Sequence, residues 1–415
     1  MIVERRPASL ALRHGSFRHG YPDTERRTSG WTAYVAWCTA WALIPWVVGD
    51  ADFLGLSLTG WAWASGGIAA AGVLAMGADR VRFPLGLFAP WLLVFTLAWI
   101  RGLDQPSATQ TYVQTLCPLL VGCAASSFDV SHSEVAKVRR WIGWVPVLLW
   151  GLAVLLFPPL LRGELIRHGW LTPQLCGATL WVGVFAGFVV AGGRRYLVHL
   201  AAVAALPVAF LVRGPTAAAL LAYPLSPSPL GVRRRFLAVV VMVSIATLIL
   251  ATPRFQARMF ESGRGSLSEL QLDNPDLKTT GRTLMWATLA RRLEDAPLLG
   301  HGVNASRTAL SEAGFMLAHP HNDWLKLAHD CGFLGVASYA FAMVGTMFAL
   351  VRIGRRRSGD DRALAYAAAG GFVPFFVLMI TDNVLLYVQF YGNVHFALVG
   401  AVFARSGGQR SGGSG

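Results

Sequence analysis

What this sequence has little of narrows its class first. Charged residues fill only 14% of the 415 positions while 54% are hydrophobic, and the mean hydropathy is +0.49, which excludes an ordinary soluble domain of this length. Cysteine is sparse. Cys38, Cys117, Cys123, Cys176 and Cys331 are scattered, odd in number and mostly inside apolar runs, so they read as small packing residues rather than a disulfide framework or a metal site. Short segments of alternating hydropathy are absent, which excludes a membrane β-barrel. No apolar core with a cleavage site precedes Gly30, so no removable signal peptide is expected and residues 1–30 read as a basic cytoplasmic tail. Gly-rich phosphate loops, nucleophile elbows and Ser/His/Asp arrangements are missing as well. The net charge of +14, combined with this hydropathy, points to arginines in cytoplasmic loops, and nucleic acid is not expected as a partner.

What is present is a series of apolar runs of the length that a hydrocarbon core of about 30 Å demands of helices. They fall at Trp31–Val48, Leu56–Met76, Leu85–Ile100, Tyr112–Phe128, Trp141–Phe157, Leu175–Val190, Tyr196–Val212, Pro215–Leu225, Phe236–Leu250, Phe333–Leu350, Leu364–Ile380 and Leu385–Phe403. The eighth is too short to cross alone and pairs with the seventh at Val212-Arg213-Gly214-Pro215. The expected fold is therefore an all-α polytopic membrane protein with about 12 transmembrane helices. Alternating these spans puts 23 of the 36 Lys and Arg residues on one side, including Arg80, Arg82, Lys137, Arg233–Arg235 and Arg355–Arg357. The other side holds 13, nine of them between Pro253 and Gly332. Both termini then face the cytoplasm and the long segment faces outward.

This reading divides the chain into the tail 1–30, spans one to nine over 31–252, an outward loop over 253–332, spans ten to twelve over 333–404, and a flexible Gly/Ser-rich tail over 405–415. A loop of about eighty residues is too long to be a plain connection. Thr279 or Thr280 caps an expected helix Arg282–Arg292, whose Leu284, Trp286, Ala287 and Leu289 form an apolar stripe suited to the membrane surface. A second helix is expected over Ala305–Ala313. Asn322 caps a third, Asp323–His329, stopped by Gly332 before the tenth span.

The chemistry-bearing residues collect in this loop. His321, and after it His319, are candidate bases, because imidazole exchanges a proton near neutral pH. Arg282 and Arg213 are candidate phosphate ligands, since a guanidinium stays charged and grips two phosphate oxygens at once, and Arg167 is a third. Asp50-Ala51-Asp52 reads as a pair of solvated acids capping the first span, and no metal or cofactor is expected. Twelve spans would also suit a transporter, but no internal repeat is visible and the reactive residues lie in an outer loop.

Taken in order, Gly281-Arg282 with Trp286, Pro297-Leu298-Leu299-Gly300-His301-Gly302, His319-Pro320-His321-Asn322 and Gly332-Phe333-Leu334-Gly335 resemble the O-antigen ligase and O-antigen polymerase superfamily of bacterial envelope proteins. Arg213 is similar to the family's arginine at the start of a span before the loop. Arg167 to Gly177 matches more loosely, with Gln174 in place of an Asn. The resemblance implies a GT-C-like, metal-independent, inverting glycosyltransferase of the bacterial inner membrane, with its site on the periplasmic side and membrane lipids around it. Its donor would be a glycan on undecaprenyl diphosphate. The acceptor would be lipid A-core in a ligase, or a second lipid-linked glycan in an O-antigen or exopolysaccharide polymerase. His321 and His319 would serve catalysis, Arg282, Arg213 and Arg167 would hold the diphosphate, and Asn322 and Gly281 would support them.

Overall fold

The computed structural model describes residues 30–48, 52–53, 56–156, 172–271, 274–279, 281–316 and 319–407. Among the described residues, regular structure is helical apart from a two-residue antiparallel ladder pairing Asp52–Phe53 with Leu56–Ser57 and an isolated antiparallel bridge between Phe260 and Leu277. The helices are α1 (Trp31–Val48), α2 (Leu58–Gly77), α3 (Leu85–Arg101), α4 (Ala108–Ser127), α5 (His132–Ile142), α6 (Val145–Leu156), α7 (Thr172–Val190), α8 (Tyr196–Ala209) and α9 (Arg213–Ala222). They continue with α10 (Val232–Leu250), α11 (Pro253–Met259), α12 (Arg282–Leu293), α13 (Ala305–Glu312), α14 (Asp323–Arg356), α15 (Gly359–Gly370), α16 (Phe372–Thr381) and α17 (His395–Gly407).

Among the described residues, every expected apolar run overlaps one or more of these helices, because a run of that length satisfies its backbone internally only as helix. Five helical stretches among the described residues are long and apolar enough to cross a bilayer: 58–77, 132–155, 172–190, 323–356 and 359–381. A sixth results if α10 and α11, bent by 86° at their junction, count as one broken span. Burial ranks them. The stretches 172–190 and 359–381 are 83% buried within the protein and form the centre, whereas 58–77 is 22% buried and lies at the rim.

The twelfth run departs from a plain α-helix. It opens with a 3-10 turn over Val384–Leu386 and a π-helical turn over Val388–Val394 before α17 begins. Asn393 sits fully buried in that wide turn and donates to the Ala62 and Trp63 carbonyls at 3.2 and 3.0 Å. A polar side chain within an apolar run thus finds its partners on α2 by widening its own helix. Arg405, expected to open a flexible tail, instead belongs to α17. Its guanidinium meets Asp361 at 2.6 and 2.8 Å and the Val130 carbonyl at 2.6 Å.

Two sets of polar connections between loops lie apart from each other. In one, Arg82 pairs with Asp129 and the Ala404 carbonyl, Arg139 with Asp360, and Arg405 with Asp361. In the other, Arg101 donates to the Leu299 carbonyl, Thr308 meets Gln105, and Asn304 donates to Pro106. The first set joins loops that the charge count put on the Arg-rich side. The second joins loops that it put on the other.

Within the long loop, α12 and α13 begin where expected. The cap of α12 is Gly281 at φ +78, not Thr279, whose hydroxyl meets Thr283 Oγ1 at 3.2 Å; Thr280 lies outside the described residues. The apolar face also differs. Met285, Leu289 and Leu293 are buried, with Met285 and Leu289 packing on Ala309 and Leu310 of α13, while Leu284 is exposed. The stripe's angular position is set by the neighbouring loop helix rather than by lipid.

The third expected helix continues as α14 across a kink at Gly332, where φ is 69° and ψ is −177°. Phe333 N–H and Leu334 N–H bond back to the Pro297 and Leu298 carbonyls at 2.8 and 3.2 Å, so the 297–300 turn inserts into the break. A Cβ on Gly332 would lie 2.1 Å from Leu298 O, and its backbone angles are essentially glycine-only. Gly332→Ala should therefore cost at least about 2 kcal/mol. The expected result is a clear drop in the thermal midpoint and yield of purified protein; an unchanged midpoint would mean that the 297–300 turn is not locked to the kink. Behind it, buried Asp330 accepts from Asn304 N–H at 3.0 Å, Ser306 N–H at 2.8 Å and Lys326. His301 Nε2 lies 2.8 Å from the Arg292 carbonyl, and its ring packs against His329. The glycine-rich motif is thus a structural clasp between loop and helix.

Candidate functional site

The His319–Asn322 segment is fixed from both sides. Trp286 Nε1 of α12 donates to the Pro320 carbonyl at 2.7 Å. Asn322 caps α14 as expected, its side-chain oxygen accepting from Leu325 N–H at 3.0 Å. Between them His321 takes φ +51, a left-handed conformation unusual for a non-glycine residue and held here by tertiary contacts. Its backbone N–H donates to Asn383 Oδ1 at 2.9 Å. Its Nδ1 lies 3.3 Å from Asp382 Oδ1 and 3.1 Å from Asn383 Nδ2.

Nδ1 cannot both donate to Asp382 and accept from Asn383. The carboxylate decides. Burial opposes its ionisation, but the His321 hydrogen bond, the Asn383 N–H at 2.8 Å and the charge of Arg282 hold Asp382 below the usual carboxylate range. An ionised, buried acceptor draws the proton to Nδ1 and leaves the lone pair on Nε2. That nitrogen has no hydrogen-bond partner among the described residues. The exposures match this division: the Asp382 side chain is 4% exposed and that of His321 is 23%. The arrangement is an imidazole oriented from behind by a carboxylate, with its second nitrogen unpartnered among the described residues.

Arg282 reaches the same turn, and the backbone beside Arg213 packs on it. Arg282 Nη1 donates to the Thr381 carbonyl at 2.7 Å, directly before Asp382. Its Nε is buried without a hydrogen-bond partner, as is Thr381 Oγ1. Gly214 packs so closely on this residue that a Cβ would lie 2.8 Å from Thr381 Oγ1, which brings Arg213 alongside. Arg213 donates to the Lys278 carbonyl. Burial, then the charges of Arg282 and Arg258, lowers its pKa to about 10, still well above neutrality. Neither Arg213 nor Arg282 has a carboxylate partner among the described residues. Two guanidiniums close enough for one to lower the other's pKa repel each other and suit a multiply charged anion.

The other expected residues separate by role. His319 is half-buried, and burial, then the positive charges of Lys326 and Arg307, pushes its pKa down to about 4. It is therefore neutral at pH 7. Because its folded value lies below the ordinary histidine value of about 6.5, its contribution to stability is complete above that pH and is lost as pH falls toward 4. The wild-type thermal midpoint should thus drop more between pH 7 and pH 5 than that of His319→Gln; equal drops would show that this imidazole is already solvated. Asn322 and Gly281 serve as helix caps. Arg167 and Asp50 lie outside the described residues.

Thr381, Asp382, Asn383 and Tyr387 were not singled out from the sequence. Tyr387 Oη donates to Asp382 Oδ1 at 3.0 Å, and Cys176 Sγ lies 3.4 Å from Oδ2. The available signal was the tripeptide Thr-Asp-Asn between two apolar runs, where an unpaired acid needs a reason.

Fold and site together define a polytopic helical membrane protein with an imidazole–carboxylate pair beside a guanidinium cluster. Residues 178–340 match the family model described as O-antigen ligase (Wzy_C), and this match supports the O-antigen ligase superfamily as the family of the chain. It includes Arg213, Arg282 and His321, while Asp382 and Asn383 lie beyond it. No curated protein gives a significant match.

Proposed function

We propose that the protein is an O-antigen ligase-like glycosyltransferase that moves a glycan from undecaprenyl diphosphate to lipid A-core. It has twelve spans, and its 253–332 loop and site face the periplasm. The observation that carries this reading is the Thr381–Asp382–Asn383 turn, on which His321, Arg282 and the Arg213–Gly214 backbone all converge. An acceptor hydroxyl donates its proton to His321 Nε2 as its oxygen attacks the anomeric carbon. The bond from that carbon to the diphosphate oxygen breaks, and the electron pair leaves with the diphosphate. Arg213 and Arg282 offset the charge that builds there, a role a metal ion fills in other enzymes. Attack from the face opposite the leaving group inverts the anomeric centre. Asp382 keeps the imidazole in the tautomer that accepts a proton and stabilises the imidazolium that forms.

The test is purified protein with a defined lipid-linked glycan donor and two acceptors in parallel. Transfer to lipid A-core supports the ligase reading. Extension of a second lipid-linked repeat instead assigns a polymerase. No transfer to either, with vectorial movement of lipid-linked glycan in proteoliposomes, would overturn the enzyme reading in favour of a transporter.

A further inference from the structure

Asp323 is the first residue of α14 and is fully buried. An acid in that position ordinarily stays in water and favours the positive end of its own helix dipole. Here the helix start is already capped by Asn322, whose Oδ1 accepts from Leu325 N–H at 3.0 Å, and Lys326, one turn on, pairs with Asp330 instead. A carboxyl taken out of water needs a partner to offset its lost hydration. Asp323 finds one across the fold: its Oδ2 accepts from Leu385 N–H at 2.7 Å, 62 positions downstream. Its Oδ1 is buried without a hydrogen-bond partner.

Leu385 lies in the 3-10 turn Val384–Leu386, which follows Asp382 and Asn383 directly. The first amides of a helical turn have no partner within it, and Asp323 takes one of them. Among the described residues, the other hydrogen bonds between 321–323 and 382–385 run through His321. Its N–H donates to Asn383 Oδ1 at 2.9 Å, and its Nδ1 lies 3.3 Å from Asp382 Oδ1 and 3.1 Å from Asn383 Nδ2. His321 is itself held at φ +51 by these contacts, so it is no fixed reference for the turn. The Asp323–Leu385 bond supplies one, two residues along the chain from the imidazole and three from the carboxylate.

We infer that Asp323 is a positioning residue for the transfer step: by tethering Leu385 it holds the Asp382–Asn383 turn where the Asp382 carboxylate meets His321 Nδ1. The inference rests on the transferase reading and deepens it. Asp323 acts through the turn and not on the reacting atoms. What counts is a hydrogen-bond acceptor of fixed reach rather than a charge, which separates this role from the ion pairing of Asp330 with Lys326. Loss of the tether lets the turn shift, and a shift of about 1 Å at an orienting group is enough to slow a proton transfer strongly.

The experiment uses the full chain in nanodiscs with the defined lipid donor and acceptor. Asp323→Ala removes the acceptor, whereas Asp323→Asn keeps an oxygen of the same reach without the charge. The alanine variant should lose roughly tenfold to a hundredfold in kcat, with the Michaelis constant for the donor changed by less than about twofold. Asparagine should recover most of that loss. Combined with Asp382→Asn, Asp323→Ala should cost less than the product of the two single effects, because both act on one imidazole. Hydrogen exchange reads the contact without substrate: the Leu385 amide should exchange faster in the alanine variant and at close to the wild-type rate in the asparagine variant. Should Asp323→Ala not fold, Asp323→Ser, whose hydroxyl stops short of Leu385, takes its place with the same expected results. Wild-type kcat in the alanine variant, an equal loss with asparagine, full additivity with Asp382→Asn, or unchanged exchange at Leu385 overturns the assignment. Failure of the transferase reading is separate: the exchange pattern would stand while the wild type transfers no glycan.

Discussion

Replacing His321 with alanine lowers glycan transfer by about 10²- to 10⁴-fold, the usual contribution of a positioned general base, while the protein stays folded and inserted. The imidazole makes no core contact whose loss would collapse the scaffold. What it makes is a bond through Nδ1 to Asp382 at 3.3 Å and a free Nε2. Removing it leaves the acceptor hydroxyl without a proton acceptor and should lower the turnover number, with little change in the Michaelis constant for the donor. Asp382→Asn tests the orientation separately. The amide keeps the shape but not the charge that favours Nδ1–H, so turnover falls while donor binding persists. Steady-state kinetics on defined lipids, with a thermal midpoint for each variant, read both effects. Near-normal turnover in His321→Ala would remove this residue from the chemistry altogether.

Arg282→Lys gives the second large effect, a loss of about 10²- to 10³-fold in kcat/KM for the diphosphate donor. A lysine keeps the positive charge but loses the planar fork, which here spans the Thr381 carbonyl on one side and an unpartnered, buried Nε on the other. Arg213→Lys should act in the same direction, and the double variant should lose less than the product of the singles, because both guanidiniums act on one anion. The check is kcat/KM across the four proteins with one donor. Full additivity, or a single lysine variant with wild-type kcat/KM, would separate the two arginines and end the idea of a shared diphosphate site.

Much of the scaffold was legible from hydropathy. Long apolar runs have one way to satisfy their backbone in lipid, so α7, α10 and the 359–381 stretch fall where Leu175–Val190, Phe236–Leu250 and Leu364–Ile380 put them. The starts of the loop helices were legible too, Asn322 capping α14 as expected, whereas Gly281 takes the cap expected at Thr279 or Thr280 and Gly332 kinks α14 instead of ending it. The α12 stripe was misread because Leu284 and Met285 are equally apolar. Only the position of α13 selects Met285 for burial. The tail boundary was misread for a similar reason: Arg405 looks solvated in sequence but finds Asp361 across 44 positions.

The order of polar motifs along the chain, read alone, already nominated His321, Arg282 and Arg213, because ionisable groups beside apolar spans are costly and need a purpose. It also fixed the helical class, through run length and backbone satisfaction. Tertiary structure alone supplied the partner of the imidazole. Asp382 and Asn383 lie about sixty residues downstream, and no local periodicity couples them to position 321. Folding decided as well which glycine-rich motif is a clasp and which residues form the site, since burial and charge pairing depend on what lies across the fold.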